Sequence, residues 1–346
     1  METPGVKEAK RAVVEAGNRL VALGLVARTW GNVSCRVDAK TFAITPSGLA
    51  YERLTEDSIV LVDIGTLAYE GAVRPSSEKA IHAAAYRLDG EAGFVIHTHQ
   101  TYATCVSVSG FSKLQPDEAE LARLGGSIGL GRYAMSATKK LAGIVSAQMA
   151  QGKRAILMKG HGALLVGRDS DEAFDRAQVL EAVCRRSMAD LPDGNDTPQM
   201  PDEAVQKIIR RIQSQRGGFA HVLLLSSEAV RQAMEQADAL PAVIDDFAQI
   251  AGWDMKKAVA DDGQDAVRKL KNRNAVYLAG IGALCGADSP SDAQAVATLV
   301  EKNALAVLNA RRNGDRPGLP FWDKAIMRTV YVKKYAKGAA GVPPAK

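Results

Sequence analysis

The chain has only five histidines, and two of them, His97 and His99, stand one residue apart in the run FVIHTHQTYAT. The approach to them, Phe94-Val95-Ile96, is aromatic and β-branched, which predicts a strand. On a strand, residues i and i+2 project to the same face, so the two imidazoles converge. Histidine is the commonest metal ligand, and a converging pair begins a chelate; two surface imidazoles at a strand end are the alternative. His161, in MKGHGALLVG, offers a third ring. Gly160 and Gly162 flank it, so the backbone can turn tightly and nothing shields the ring. Three imidazoles with one open position form the pattern of a catalytic zinc site. The other two histidines have plainer readings. His82 follows Glu78 by four on one helical face and reads as a helix-surface or packed residue, with support of the metal site from behind its ligands as the alternative. His221 has no histidine neighbour and reads as structural.

Three short turns precede that strand: TWGNVSCR with Asn32 and Ser34, ITPSG with Ser47 and Gly48, and RPSSE with Ser76 and Ser77. Each combines small hydroxyl or amide donors with backbone able to expose N–H groups, the makings of an anion-binding concavity. Ser76 and Ser77 also open a predicted helix, whose N-terminus favours a phosphate. Any one of the three alone is a turn or an N-cap. Three of them ahead of one HxH strand make a more specific signal. Glu78 closes the PSSE turn. A carboxylate repels an anion, so it suits a metal ligand or a general base, against the alternative of an acid favoured by the helix dipole.

Around these residues the chain alternates strands and helices, which predicts a layered α/β domain. Residues 7–25 read as an amphipathic helix. Strand-like pieces follow in GNVSCRV, TFAITPSG and SIVLVDIGT, then a helix over 77–88, the FVIHTH strand and a helix near 136–151. A further strand, RAILMKGHGALLVG, leads into a helix over 170–188 with Asp171 and Glu172 in its first turn. The expected domains are a catalytic unit over 1–188, a Pro/Asp/Gly/Asn-rich linker over 189–202, a second unit over 203–335 and a mobile basic tail over 336–346.

The second unit repeats part of the first. KRAILMKGHGALLVGRDSDEAFDRAQVLEAV (153–183) matches RNAVYLAGIGALCGADSPSDAQAVATLVEKN (273–303), with Ile281 in place of His161. FVIHTHQTYATCVSV aligns more weakly with FAHVLLLSSEAVRQA, and DEAELARLGGSIG with PAVIDDFAQIAGW. The expectation is a tandem duplication whose second copy is degenerate and lacks a counterpart of the first 90 residues. An apolar residue at the position of His161 argues that this histidine serves chemistry rather than folding.

Composition sets the compartment and excludes some partners. The 346 residues allow two domains or one large one, and 47% hydrophobic with 24% charged residues suits a globular protein with a core. No run of 18 apolar residues is present and METPGVKEAKRAVVEAG has no apolar signal core, so neither a membrane span nor a secretory leader is expected. Four scattered cysteines without a CxxC pair fit reduced thiols in a cytoplasm. The net charge of +5 is concentrated in residues 311–346, which hold nine Lys/Arg against two Asp/Glu. The main body is therefore not basic, and no nucleic-acid partner is expected.

The motifs GNVS, TPSG, PSSE, HTH, GRYA and GHG occur in that order over residues 8–188, and in this the chain resembles the class II aldolase/adducin family, which includes fuculose-phosphate and rhamnulose-phosphate aldolases. The resemblance implies a three-layer α/β/α fold with a mostly antiparallel central sheet. It implies a divalent metal on His97, His99 and His161, usually Zn2+, with Mn2+, Fe2+ or Co2+ as alternatives. It implies phosphate contacts from Gly31, Asn32, Ser47, Gly48, Ser76 and Ser77, and a catalytic carboxylate in Glu78. Tyr133 matches a tyrosine that a neighbouring subunit supplies, so a homo-oligomer is expected. Lys79 stands where relatives usually carry an apolar residue, and the compact aldolases lack the partial repeat. Glu rather than Asp at 78 leans toward the aldolase branch over the epimerases. The expected activity is metal-dependent cleavage of a phosphorylated ketose through a metal-stabilised enediolate. A dehydratase, decarboxylase or epimerase of the same family is the alternative within enzymes; an adducin-like, non-catalytic interaction protein is the alternative outside them.

Overall fold

The computed structural model describes residues 5–26, 30–109, 114–193 and 198–335. The expected tail over 336–346 and residues 194–197 of the expected linker lie outside the described residues. The chain divides into two compact units, Met1–Met188 and Ala189–Lys346.

The first unit opens with α1 (Val6–Ala22), which buries Ala9, Val13, Ala16, Gly17 and Leu20 at helical spacing. Then come β1 (Asn32–Arg36), β2 (Thr41–Ile44), β3 (Val60–Asp63), α2 (Lys79–Leu88), β4 (Phe94–Thr98), α3 (Thr101–Ser109) and α4 (Glu118–Arg123). The unit closes with β5 (Gly129–Gly131), α5 (Lys139–Met149), β6 (Ala155–Met158), β7 (Gly162–Gly167) and α6 (Ser170–Ser187). Its seven strands form one sheet in the order β3-β2-β1-β4-β7-β6-β5. Every neighbouring pair is antiparallel except β5 with β6, the mostly antiparallel sheet that the resemblance implies. The run RAILMKGHGALLVG is two strands, not one. β6 and β7 form a hairpin with Met158 opposite Gly162, and His161 sits in its turn. Strands buried on both faces carry no alternation, so their apolar residues ran together in the sequence.

Helices cover both faces of this sheet. α2 and α5 bring Ile81, Tyr86, Leu141 and Val145 onto Phe42, Ile44, Val62, Val95, Ile156 and Leu164. α1, α3 and α6 pack against the strands from the other side. Val95 belongs to the α2 face, and strand alternation puts His97 on that face as well. The HxH strand is thereby aimed at the start of α2.

One ion pair fastens α6 to the sheet. The buried Arg176 donates to the Val166 carbonyl (2.6 Å) and to Glu172 Oε1 (2.7 Å), while the Arg168 N–H donates to Glu172 Oε2 (2.6 Å). Burial works to raise the Glu172 carboxyl, but these donors outweigh it and bring it to about 2. The depressed value means the stabilisation is present above the ordinary carboxylate range and is lost as pH falls through about 2. Glu172→Gln is expected to cost about 1–3 kcal/mol at pH 7, less than a fully buried pair because the carboxylate is partly solvated. The gap to the unaltered chain should shrink steadily between pH 5 and 2 in urea titrations; a gap independent of pH would contradict the ion pair.

The second unit comprises α7 (Glu203–Gln215), β8 (His221–Leu225), α8 (Glu228–Met234), β9 (Ala239–Pro241), α9 (Asp245–Ile250) and β10 (Asp254–Ala258). α10 (Gln264–Lys269), β11 (Ala275–Leu278), β12 (Gly282–Ala287), α11 (Pro290–Arg312) and α12 (Phe321–Val330) complete it. Its five strands run β8-β12-β11-β10-β9. β8 with β12 and β12 with β11 are antiparallel and β11 with β10 parallel, the same succession as β4-β7-β6-β5. Leu278 lies opposite Gly282 as Met158 lies opposite Gly162. The register also corrects the sequence alignment. Leu224 faces Leu284 where His97 faces Leu164, and His221 faces Ala287 where Phe94 faces Gly167. The register of FAHVLLL thus lies two residues from its sequence match, and Leu224, Ser226 and Ile281 stand at the positions of His97, His99 and His161. α7 precedes β8 as α2 precedes β4: the Arg216 N–H donates to the Ile212 carbonyl as that of Asp89 does to Ala85. The correspondence thus reaches back one helix further than expected from sequence.

Candidate metal centre

Three elements bring four side chains together. β4 carries His97, and His99 follows just past its end; the β6–β7 turn carries His161; and Glu78 occupies the N-cap of α2. His97 Nε2 lies 2.9 Å from His99 Nε2. Glu78 Oε2 is 3.1 Å from His97 Nε2, and its Oε1 is 3.0 Å from His161 Nε2. One potential ligand atom from each residue lies within 4.8 Å of the others. Glu78, His97 and His161 are buried, while His99 keeps partial access to solvent beside the ring of Trp30.

The donor set fits a divalent metal ion. His97 Nδ1 donates its proton to the Ala163 carbonyl at 2.9 Å, which turns the lone pair of Nε2 toward the cluster. That lone pair faces a second imidazole nitrogen and a carboxylate oxygen, an arrangement that a cation stabilises. Ligand atoms bonded at 2.0–2.1 Å with tetrahedral angles stand about 3.3 Å apart; the Nε2 atoms of His97 and His99 at 2.9 Å are near that, and all four ligand atoms fall within 4.8 Å. Burial works to raise the Glu78 carboxyl, but with His97 and His161 protonated at Nε2, the alternative to the lone pair that a cation would take up, their charges and hydrogen bonds outweigh it and hold it well below the ordinary carboxylate range. Glu78 is therefore an ionised acceptor within the cluster.

Two glycines let the backbone close around β4. Gly31 has φ +79°, and a Cβ there would meet the His97 carbonyl oxygen at 2.6 Å. A Cβ on Gly162 would meet the Thr98 carbonyl oxygen at 2.2 Å. Gly162→Ala is expected to push β7 off β4, costing about 1–3 kcal/mol as overpacking and weakening metal binding by displacing His161. Chemical denaturation and metal titration check this; unchanged stability would mean that the hairpin accommodates the methyl group.

The three predicted turns lie side by side. The Val33 N–H donates to Thr45 Oγ1 (3.3 Å) and the Thr45 N–H to the Val33 carbonyl (3.1 Å). The Ser76 N–H donates to the Thr45 carbonyl (3.0 Å) and the Ser47 N–H to the Arg74 carbonyl (2.9 Å). Ser47, Gly48 and Ser77 are exposed at this junction, Gly31 is half-buried and Ser76 is buried. Two residues of the first turn reach inward. Asn32 directs its side chain inward to Glu78 and His82, and Ser34 is wholly buried against His82 and Tyr86. His82 is no surface residue: it is fully buried and hydrogen-bonded at both ring nitrogens, and burial lowers it to about 3. The four-residue spacing from Glu78 was its only sequence signal. Tyr133 follows the edge strand β5, which β6 and β7 separate from β4, so the sheet does not bring it alongside the HxH strand.

All four cysteines are buried, and burial pushes the Cys35 thiol up to about 12. No described helix is long and apolar enough to cross a membrane.

The family sequence model described as Class II Aldolase and Adducin N-terminal domain matches residues 11–188, the span that contains every residue of the cluster. L-fuculose phosphate aldolase of Escherichia coli K12 is 29% identical over 204 residues, 59% of this chain and 94% of that protein. A solved L-fuculose 1-phosphate aldolase structure is 28% identical and covers 60% of this chain and 96% of its own, with a TM-score of 0.49. The l-fuculose-1-phosphate aldolase of Thermus thermophilus is 28% identical over 52% of this chain and 93% of its own, with a TM-score of 0.43. With the family sequence model running across the sheet, the turns and the His/Glu cluster, the chain belongs to the class II aldolase and adducin N-terminal domain family and is an aldolase-type enzyme of it.

Proposed function

We propose that the protein is a metal-dependent aldolase that cleaves a phosphorylated ketose, with His97, His99 and His161 as ligands of a divalent metal, Zn2+ foremost. The observation that carries this is the adjacency of two half-sites: a His/Glu cluster able to hold a cation, and three donor-rich turns hydrogen-bonded to one another beside it. The names of the similar proteins supply the substrate class, a sugar phosphate. Gly31, Ser47, Gly48, Ser76 and Ser77 are the residues for the phosphate, since N–H and O–H groups at a turn bind anions without a charge of their own. Asn32 belongs with them: its amide gives one N–H to Glu78 and carries a second for that contact.

A metal held by the three histidines supplies Lewis acidity toward the ketose carbonyl and its neighbouring hydroxyl. The protein's own groups move the protons. The hydroxyl proton next to the breaking carbon–carbon bond leaves as the aldehyde departs, the role assigned to Tyr133. Glu78, ionised at the outset, would receive that proton by way of Tyr133 and water and return it to the carbon left beside the carbonyl, so that one proton leaves oxygen and one reaches carbon. Assembly into a homo-oligomer would decide which copy's Tyr133 serves a given site. The test is a screen of phosphorylated ketoses, with metal and with chelator, for release of an aldehyde and a three-carbon ketose phosphate. Metal-dependent release of both fragments supports the assignment; a product that keeps all the carbons in one molecule would assign the site to dehydration or epimerisation.

We further propose that the second unit, 203–335, is a metal-free partial copy of the first. The shared pairing order, the equivalent hairpins and the matched α2 and α7 support it. Leu224, Ser226 and Ile281 at the three ligand positions offer no metal-binding nitrogen. A crystal of the zinc-loaded protein should show anomalous scattering beside His97 and none beside Ser226.

A further inference from the structure

Behind Glu78 runs a chain of buried polar side chains that, past Asn32, the proposed reaction does not use. Asn32 Nδ2 lies 3.2 Å from Glu78 Oε2, and Asn32 Oδ1 contacts His82 Nε2. His82 Nδ1 lies 2.7 Å from Ser34 Oγ, which lies 2.7 Å from the Tyr86 hydroxyl. Asn32, Ser34, His82 and Tyr86 are all buried.

The direction of every hydrogen bond follows from the Asn32 amide, whose Nδ2 donates to Glu78 Oε2 and whose Oδ1 faces His82 Nε2 and can only accept. His82 must then donate from Nε2 and accept at Nδ1 from the Ser34 hydroxyl. Ser34 in turn accepts from the Tyr86 O–H. The row is therefore polarised in one sense from Tyr86 to Glu78, and each member fixes the rotamer or tautomer of the next.

The second unit gives an independent reason to connect this row with the site. With α7 matched to α2, Val205 takes the place of Glu78 and Ile209 that of His82, and both are buried in the local apolar core. The fold thus accepts a branched apolar residue where His82 stands. Both polar residues are missing from the unit that also lacks the three ligand histidines.

We propose that His82, backed by Ser34 and Tyr86, is a positioning residue: it locks the Asn32 amide with its N–H toward Glu78 and so holds that carboxylate in its reactive orientation. This rests on the aldolase reading for what Glu78 does, but not for the arrangement itself. A carboxylate free to swing would transfer its proton less often from the right place, while substrate binding at the turns would be little altered.

The test uses the full chain and has two arms. In the metal-free protein, 1H–15N spectra of the histidine rings read the tautomer. A neutral His82 with its proton on Nε2 is expected; a proton on Nδ1 would reverse the row and overturn the proposal. The second arm compares His82→Gln, which keeps a donor and an acceptor at the tip of the side chain, with His82→Leu, which keeps volume alone. His82→Leu should bind one metal per chain and lose about 10–100-fold in kcat with KM within about threefold, as for other residues that orient a metal site from behind. His82→Gln should recover most of that loss. Equal losses in both variants, or none in either, would overturn the positioning role. Should His82→Leu not fold, the tautomer in the unaltered chain decides by itself. The spectra need neither metal nor substrate, so absence of turnover on every phosphorylated ketose would defeat the aldolase reading and leave this inference to be judged on the tautomer.

Discussion

His161→Ala should lose its metal and its turnover together while keeping its fold. His161 sits in the β6–β7 turn with Nε2 3.0 Å from Glu78 and its ring stacked 4.9 Å from that of His97. Removing it opens the cluster on the hairpin side and leaves two histidines. Loss of an outer-shell partner of a metal site costs roughly 10–100-fold in affinity, so loss of a ligand should exceed that. The fold should survive because the equivalent hairpin of the second unit turns with Ile281 at this position and keeps the same pairing of its strands. Metal analysis after dialysis, with circular dichroism and a denaturation midpoint on the same sample, makes the comparison. Retention of one tightly held metal per chain would remove His161 from the ligand set and leave His97, His99 and Glu78 as the holders.

Which features could be read from the sequence depended on whether they were local. The HxH pair was legible because strand alternation is a two-residue rule, and the structure sets both rings within 3 Å of each other at their Nε2 atoms. The turn at His161 was legible as a turn, but the strands around it merged because Ala155–Met158 and Gly162–Gly167 are buried throughout. Register was not legible. FAHVLLL resembles FVIHTHQ best when the two Phe residues are aligned, yet β8 takes its position from its partner β12, two residues away from that match. The match of α7 with α2 had no motif to announce it, since Val205 and Ile209 stand where the first unit has Glu78 and His82. His82 was hidden for another reason. Its partners Asn32 and Ser34 lie about fifty residues earlier in the chain, and only the pairing of β1 with β4 brings that strand beside α2.

Glu78→Gln should keep the metal and lose about 10²–10⁴-fold in kcat, the range for removing a general acid–base group. The substitution is close to isosteric. Its amide oxygen can still accept from Asn32, so the carboxamide should remain in the pocket that Asn32, His97 and His161 define. It cannot take up or return a proton at a carbon atom, which is the single property the proposed mechanism asks of Glu78. The metal should stay because the three imidazoles are untouched. Two rates separate this role from a general weakening of the site. Cleavage of the ketose phosphate should fall, and exchange of the carbon-bound hydrogen of the released ketose phosphate with deuterium from D2O should fall by a similar factor. KM should change little, because the donor-rich turns proposed for the phosphate are unaltered. Cleavage within a few-fold of the unaltered chain would make Glu78 a structural counter-charge for His97 and His161. Loss of cleavage with deuterium exchange intact would move the proton transfer at carbon to another residue and leave Glu78 acting on the carbon–carbon bond alone.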